Sequence, residues 1–421
     1  MSAPLTRGQI DAIVRALALV LPLRSPADVV LKHHFRENRG LGSRDRALIA
    51  DTVYSVLRRR RLLETVTPSA SPREMALASL VKLQGLGIGQ LEPLLKKEER
   101  DWLAALKARD LDALPFELRA DLPDWVIERL RKHHTDEEIL ALARSLQQSA
   151  PLDLRVNTLK APREAVLQRL EDDGTPGVAT RYSPVGVRIK EKIVLNRHPM
   201  FLDGAVEVQD EGSQILGMLV EPKRTDMVVD FCAGAGGKTL QLGAAMGSRG
   251  RLYAYDVSDK RLENLAPRLR RSGLSNVHPQ RIAGENDTKV KRLRGKVDRV
   301  LVDAPCTGLG TLRRNPDLKS RQTEAGLAEL CAKQYAILEA AGALLKPGGR
   351  LVYGTCSLLE EENEAIVDRF LAAHPDFSLV PCAEVLAHQG VSIPGCELFL
   401  RLLPHTHDTD GFFAAVMQRA A

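Results

Sequence analysis

From Val206 to the end of the chain, short apolar runs alternate with stretches of helical periodicity, a pattern that fits parallel strands buried under helices on both faces. The runs are Val228 to Phe231, Leu252 to Asp256, Val300 to Asp303 and Leu351 to Tyr353; the helical stretches lie around 238 to 246, 258 to 272, 322 to 345 and 360 to 373. This predicts a Rossmann-like α/β domain over 205–421. Ligands of such sheets bind beyond the carboxyl ends of the strands, so the residues that follow each apolar run are the candidates for chemistry.

Two other regions precede it. Residues 1 to about 145 read as all helical, with Ile10, Ile13, Val14 and Leu17, then Leu48, Ile49, Val53, Val56 and Leu57, at helical spacing. Ser43 is the expected N-cap of the second group. Its far end runs into Arg58, Arg59, Arg60 and Arg61, either cations suited to a helix C-terminus or a patch for RNA phosphates. Over 146–204 a strand from Leu152 to Leu159, a helix from Pro162 to Leu170 and a strand from Val185 to Ile189 make a small α+β module. Its outline is that of an RNA-recognition layout, but the stacking aromatics of such modules are nearly absent, Tyr182 standing alone between Leu152 and Ile189.

Composition bounds the function. Lys plus Arg is 60 against 54 for Asp plus Glu, a net charge of +6, which biases the chain mildly toward polyanionic partners. The 44% hydrophobic and 27% charged fractions exclude a fibrous or wholly disordered chain. The run Ala16 to Leu23 lies between Arg15 and Arg24, too short to cross a bilayer; Asp11 before it and the lack of a small-residue cleavage site after it argue against export. Six cysteines without a CxxC pair predict neither a zinc site nor a disulfide framework and fit a reducing cytoplasm.

After the first α/β strand comes Asp230-Phe-Cys-Ala-Gly-Ala-Gly-Gly-Lys-Thr239, a turn in which glycine lets backbone N–H groups approach a ligand closely. It nearly matches the phosphate loop G-x-x-x-x-G-K-S/T through Gly237, Lys238 and Thr239, but Cys232 replaces the first glycine. It nearly matches the dinucleotide G-x-G-x-x-G through Gly234 and Gly236, but Thr239 stands third. Asp256 ends the next strand, where an acid binds both ribose hydroxyls, or else caps the strand end. A nucleoside cofactor without a pyrophosphate, such as S-adenosylmethionine, needs the close turn and the ribose acid but not the third glycine.

Two further strand ends carry thiols: Asp298-Arg-Val-Leu-Val-Asp303-Ala-Pro305-Cys306, and Gly348-Gly-Arg-Leu-Val-Tyr-Gly-Thr-Cys356-Ser357. If both strands belong to one parallel sheet, both thiols face the crevice of the glycine turn. Cys331, Cys382 and Cys396 read as inert small hydrophobes. A thiolate adding at C6 of a pyrimidine makes an enamine whose C5 attacks a methyl donor, dividing one hard step into easier ones. The helical pattern from Glu360 is expected to lower the thiol's pKa from its N-terminus. Asp303 is placed to hold a proton on N3. A second base must then remove the C5 proton. The residues leave open which thiol attacks.

The set DFCAGAGGKT, AYDVSDKRL, DRVLVDAPCTGLGTLRRNPDLK, LLKPGGRLVYGTCSLLEEEN and the late DGFF around Asp410 resembles the bacterial RsmB-type RNA cytosine-5 methyltransferases. AVEVQDEGSQ from Ala205, LPDWVIERL, LDLRVNTLK, and ADVVLKHHF with SRDRALIADTVYSVLRRR extend the resemblance to a linking segment and a helical NusB-like N-domain. It implies three domains, NusB-like at 1–145, RRM-like at 146–204 and catalytic at 205–421. It implies Cys356 as nucleophile and Cys306 as the thiol that helps release product. It also implies that Cys232, Ala233, Gly234, Ala235, Gly236, Gly237 and Lys238 cradle S-adenosylmethionine, that Asp256 binds its ribose, and that Asp303 lies between cofactor and base. The chain departs from the family where the turn lacks a proline, where Gly284-Glu285-Asn286-Asp287 stands in the adenine-contacting segment with Asp287 as the choice, and in an N-domain that looks short.

Arg281 to Arg299 holds seven basic residues against Glu285, Asp287 and Asp298, a solvated helix face or a phosphate contact; Arg313 and Arg314 follow the Cys306 loop closely enough to border a bound strand. The first functional reading is an RNA cytosine-5 methyltransferase acting on 16S rRNA, a cytoplasmic monomer without a metal or a membrane, with tRNA the nearer alternative substrate. A non-catalytic RNA-binding assembly factor and a P-loop NTPase are the competing classes, disfavoured by the intact thiol pair and by Cys232.

Overall fold

The computed structural model describes residues 5–190, 193 and 195–421. By contacts the chain forms two compact units, one running to Ser149 and including Thr311–Gln322, the other made of Ala150–Gly310 and Thr323–Ala421.

The first unit is helical. Thr6 opens the helix Arg7–Val20 through a capping box with Gln9, and the apolar run that begins at Ala16 is the end of that helix and the turn after it, with Ala16, Leu17 and Val20 facing the core and Leu19 turned to solvent. Ile13, Leu17 and Val20 pack against Val53, Val56 and Leu57 of the helix Ser43–Arg58. Ser43 is the first helical residue rather than its cap: Gly42 holds the N-cap position and no side chain caps the helix. The arginine run is not one helix end either, because the helix stops at Arg58 and a new one spans Arg60–Val66. Each of the four arginines has a partner within the unit: Arg58 donates to the Arg313 carbonyl at 2.9 Å, Arg59 bonds Gln147, Arg60 pairs with Glu64 at 2.7 Å, and Arg61 pairs with Asp124 at 2.7 Å. The segment 311–322 belongs to this unit through Lys319, whose ammonium lies 2.6 Å from the fully buried carboxylate of Asp121 and 2.7 Å from the Arg58 carbonyl.

The second unit carries two sheets. The smaller has strands β1 Leu152–Val156, β2 Gly177–Ala179, β3 Gly186–Ile189 and β4 Val206–Val208 in the order β2-β3-β1-β4, all antiparallel. The helix Arg163–Asp172 covers it with Val166 and Leu170. The first strand ends at Val156, three residues short of the sequence reading.

The larger sheet has β5 Met227–Asp230, β6 Arg251–Asp256, β7 Val277–Arg281, β8 Val297–Asp303, β9 Leu345–Thr355, β10 Phe377–Val380, β11 Leu400–Leu402 and β12 Phe412–Arg419. Their order is β10-β12-β9-β8-β5-β6-β7, with β11 also on β12. The five strands from β9 to β7 are parallel, whereas β12 lies antiparallel to β9, β10 and β11. Val229, Val300, Val302 and Tyr353 on one face, and Val228, Leu301 and Val352 on the other, are fully buried, as expected of strands covered on both sides. The order reverses at β5, whose neighbours are β6 and β8, so the crevice of a doubly wound sheet opens at its carboxyl end.

Candidate active site

The glycine turn begins where β5 ends. Gly234 (φ +56°) and Gly236 (φ +86°) both adopt the left-handed region, which an L side chain resists. At Gly236 a Cβ would also stand 2.1 Å from Leu265 Cδ1, so the helix Asp259–Ser272 packs directly on the turn. Around Gly234 and Gly237, by contrast, a Cβ would meet nothing within 4 Å. This open cradle is framed by Asp256, 4% exposed, whose carboxylate accepts from Gly234 N at 2.9 Å and from Ser258 N at 2.8 Å. Each oxygen keeps a lone pair for a further donor, so the residues fit a ribose. Arg268 braces the turn from outside, donating to the Ala235 carbonyl at 2.7 Å while paired with Glu207 at 3.0 Å. The sequence reading missed this brace.

The side chains of Lys238 and Thr239, which a phosphate loop would aim at a polyphosphate, turn elsewhere. Thr239 Oγ1 donates to Asp230 at 2.6 Å, and Lys238 Nζ pairs with Asp303 at 2.8 Å. This removes the NTPase reading. Burial pushes the Asp230 carboxyl up to about 7, and its other oxygen, Oδ1, has no partner. Burial likewise raises the Cys232 thiol, aided by the carboxylates of Asp230, Asp303 and Asp256, leaving it an uncharged wall of the cradle.

Asp303 closes β8 opposite Gly354 of β9, and Ala304 N donates to the Gly354 carbonyl at 2.8 Å. Beyond Pro305 the ladder ends, and the two turns bring Cys306 Sγ to 3.4 Å from Cys356 Sγ. The same packing takes in the segment Asp410-Gly-Phe-Phe: Gly310 N donates to the Cys356 carbonyl and Gly411 N to the Gly310 carbonyl, both at 2.8 Å. A Cβ on Gly310 would strike the Gly411 carbonyl at 2.3 Å. The Lys238 ammonium stands 5.5 Å over the Phe412 ring.

Charge separates the two thiols. Cys306 is raised well above the usual thiol range by its hydrogen bond with Cys356, by burial, and by the charges of Cys356 and Glu362. Burial alone would lower the Lys238 ammonium, yet Asp303, Cys356 and Asp230 outweigh it and hold it above its usual value. The cation near Cys356 is therefore Lys238. The expected helix N-terminus does not serve: residues Glu360–Glu362 form a single 3-10 turn and the helix Glu364–Ala373 starts beyond it. Glu362, which the sequence reading passed over, is fully buried under both turns. Its carboxylate accepts from Thr307 N at 2.8 Å, Thr307 Oγ1 at 2.5 Å, Gln334 Nε2 at 2.9 Å and the Ser357 hydroxyl. Three consecutive acids in a solvated-looking run gave no sign that the third points inward.

Asp287 follows β7, next to β6 and Asp256. Its carboxylate accepts from Ala283 N at 2.7 Å and Lys289 N at 2.8 Å, and these bonds hold it below the usual carboxylate range. The basic segment 281–299 is not one helix face, since it runs from the end of β7 through the four-residue helix Thr288–Lys291 into β8. Within it Arg299 is engaged by Asp226 at 2.8 Å and Arg281 by Asp259 at 3.3 Å, while Lys291, Arg292, Arg294 and Lys296 are exposed. Arg313 is buried, 3% exposed, which takes it off the surface where a strand would pass. Burial pushes Cys382 up to about 12 and Cys331 and Cys396 up to about 11. Among the described residues no group of three or more His, Cys, Asp or Glu is arranged to hold a metal ion, and no helix is long and apolar enough to cross a membrane.

A family model described as 16S rRNA methyltransferase RsmB/F matches residues 217–418, and one for an RsmF/B-like ferredoxin-like domain matches residues 122–196. A Synechocystis protein described as a probable ribosomal RNA small subunit methyltransferase B is 33% identical over 413 residues, covering 89% of this chain and 92% of its own. A Bacillus subtilis protein of the same description is 26% identical, over 97% and 98% of the two chains. The crystal structure of PH0851 aligns with a TM-score of 0.80 at 27% identity, covering all of both chains.

Proposed function

The chain belongs to the RsmB/F family of ribosomal RNA small subunit methyltransferases, and from that premise we propose that it methylates C5 of a cytosine in 16S rRNA through a transient bond between Cys356 and C6. The observation that carries this reading is the pair of thiols 3.4 Å apart at the ends of adjacent parallel strands, with Lys238 and Asp303 beside them.

The cradle from Cys232 to Lys238 would hold S-adenosylmethionine, with Asp256 on the ribose hydroxyls and Asp287 toward the adenine. Bound there, the cofactor supplies an electrophilic methyl group. The chain's own residues do the rest. Cys356 Sγ, its negative charge offset by Lys238, adds to C6 and leaves an enamine with its electron pair on C5. As charge develops on the ring, N3 takes a proton from solvent and the Asp303 carboxylate, fixed by Lys238, accepts the hydrogen bond of that N3–H. Once C5 carries the methyl group, Cys306, which stays a thiol during attack, gives its own proton to solvent and its thiolate takes the C5 proton; the C5–C6 double bond re-forms and Cys356 leaves as thiolate. Both thiols can reach a base only if it is unpaired or flipped from its stack.

In this reading the helical region 1–145 is a NusB-like RNA-binding domain, 146–204 links it to the catalytic domain at 205–421, and the protein acts as a cytoplasmic monomer. The test is methyl transfer from labelled S-adenosylmethionine to purified 16S rRNA and, separately, to bulk tRNA, with bisulfite sequencing of the product. Label at a cytosine C5 of 16S rRNA, lost in Cys356→Ala, is the expected outcome. Label confined to tRNA would replace the substrate, and turnover by Cys356→Ala would end the covalent reading.

A further inference from the structure

Two sulfurs in contact share one problem: when the pair loses its first proton, the charge must settle on one of them. The reading above needs it on Cys356. The groups that face Cys306 are Cys356, Glu362 from the 3-10 turn Glu360–Glu362, and Tyr353 from β9; the charge that acts with Cys356 is the Lys238 ammonium, itself paired with the Asp303 carboxylate. The pair thus lies between an anion on the Cys306 side and a cation on the Cys356 side.

Glu362 is also the mechanical link between the two turns. Its oxygens take the N–H and the hydroxyl of Thr307, the residue after Cys306, and the hydroxyl of Ser357, the residue after Cys356. Gln334 fixes it from the helix Glu324–Gly342, sharing its amide between Glu362 and the Pro305 carbonyl, both at 2.9 Å. A buried carboxylate is retained at such a place only when its bonds compensate for lost hydration, and here four donors converge on it.

We propose that Glu362 is the positioning residue that orders the two thiols: it ties the Cys306 turn to the Cys356 turn and, as an anion beside Cys306, keeps the remaining proton on Cys306 Sγ so that the charge of the ionised pair lies on Cys356 Sγ. The proton lost in ionisation leaves Cys356 for solvent. This rests on Cys356 being the nucleophile.

The test is limited alkylation of the full-length protein with iodoacetamide, both cysteines being half-buried residues, followed by peptide mass spectrometry of the Cys306 and Cys356 peptides and by the pH profile of kcat. Wild type labels Cys356 about tenfold over Cys306, because the thiolate is the nucleophile toward iodoacetamide. In Glu362→Gln the ratio falls toward one, the rising limb of kcat moves to lower pH because a neighbouring anion is gone, and kcat drops about 100-fold through misplacement while KM for RNA stays. Glu362→Asp, which keeps the charge, retains the labelling preference. Should Glu362→Gln fail to fold, Thr307→Val removes one tether and leaves the charge, so kcat falls with the labelling preference kept. Equal labelling in wild type, or an unchanged ratio and turnover in the variants, overturns the proposal. Turnover by Cys356→Ala would instead overturn the covalent reading on which it rests.

Discussion

Cys306 Sγ lies 3.4 Å from Cys356 Sγ, although fifty residues separate them in the chain. The distance follows from the register of β8 on β9, which sets Asp303 opposite Gly354 and starts both turns at one level. Lys238 reaches the same point from the glycine turn and holds Asp303 at 2.8 Å. Three strand ends of a parallel sheet therefore meet in one crevice, which is what such sheets provide.

Replacing Lys238 by methionine keeps most of its packing but removes the cation beside Cys356. Single-turnover methyl transfer should slow by about 100-fold, the loss typical of one preorganised electrostatic contact, with cofactor affinity changed only a few-fold. Rapid-quench assays with labelled S-adenosylmethionine measure this, and an unchanged rate would remove Lys238 from the thiol's activation.

Asp256→Ala should weaken S-adenosylmethionine binding by about 1–3 kcal/mol through lost charge-assisted hydrogen bonds, part of it through the unbraced Gly234 N–H. Isothermal titration of the full-length protein reads the change. A dissociation constant equal to wild type would put the ribose elsewhere.

The carboxyl of Asp230 is raised by burial from 3.8 to about 7 in the folded protein. A raised folded pKa means the protonated form is favoured in the native state, so its contribution is complete below about pH 4 and is lost as the pH rises toward 7. Relative to Asp230→Asn, the wild-type protein should lose about 4 kcal/mol across that interval and nothing further above it. Urea melts at a series of pH values test this; parallel curves for the two proteins would contradict it.

In the helical unit, Lys319→Met leaves the fully buried Asp121 carboxylate without its ammonium. Breaking a buried pair from one side costs about 3–5 kcal/mol, so thermal unfolding of this variant should begin well below that of wild type. A melting curve superposable on wild type would mean that the backbone donors at Leu62 and Arg61 suffice for Asp121.

The parallel sheet, the glycine turn, Asp256 and both thiols were legible because each rests on a local rule: apolar runs bounded by turn residues, glycine where φ is positive, and chemistry at strand ends. The antiparallel insertion of β12 was not, since an apolar run buried on both faces looks the same in either direction. Ser43 misled because a serine ahead of a helical pattern is as compatible with the first turn as with the cap. Glu362, Arg268 and Gln334 escaped for a common reason: their roles depend on partners 28 to 61 residues away, and nothing in a charged run marks the one side chain that turns inward. The direction of the Lys238 side chain was likewise set by Asp303, 65 residues on.

The most direct measurement takes Cys306→Ala, which keeps the attacking thiol and removes the one that accepts the C5 proton, and mixes it with S-adenosylmethionine and 16S rRNA. After denaturing electrophoresis, a protein–RNA adduct should persist, and nuclease digestion followed by peptide mass spectrometry should place one methylated cytidine on Cys356. An adduct on another residue, or none from a variant that binds both cofactor and RNA, would contradict the account.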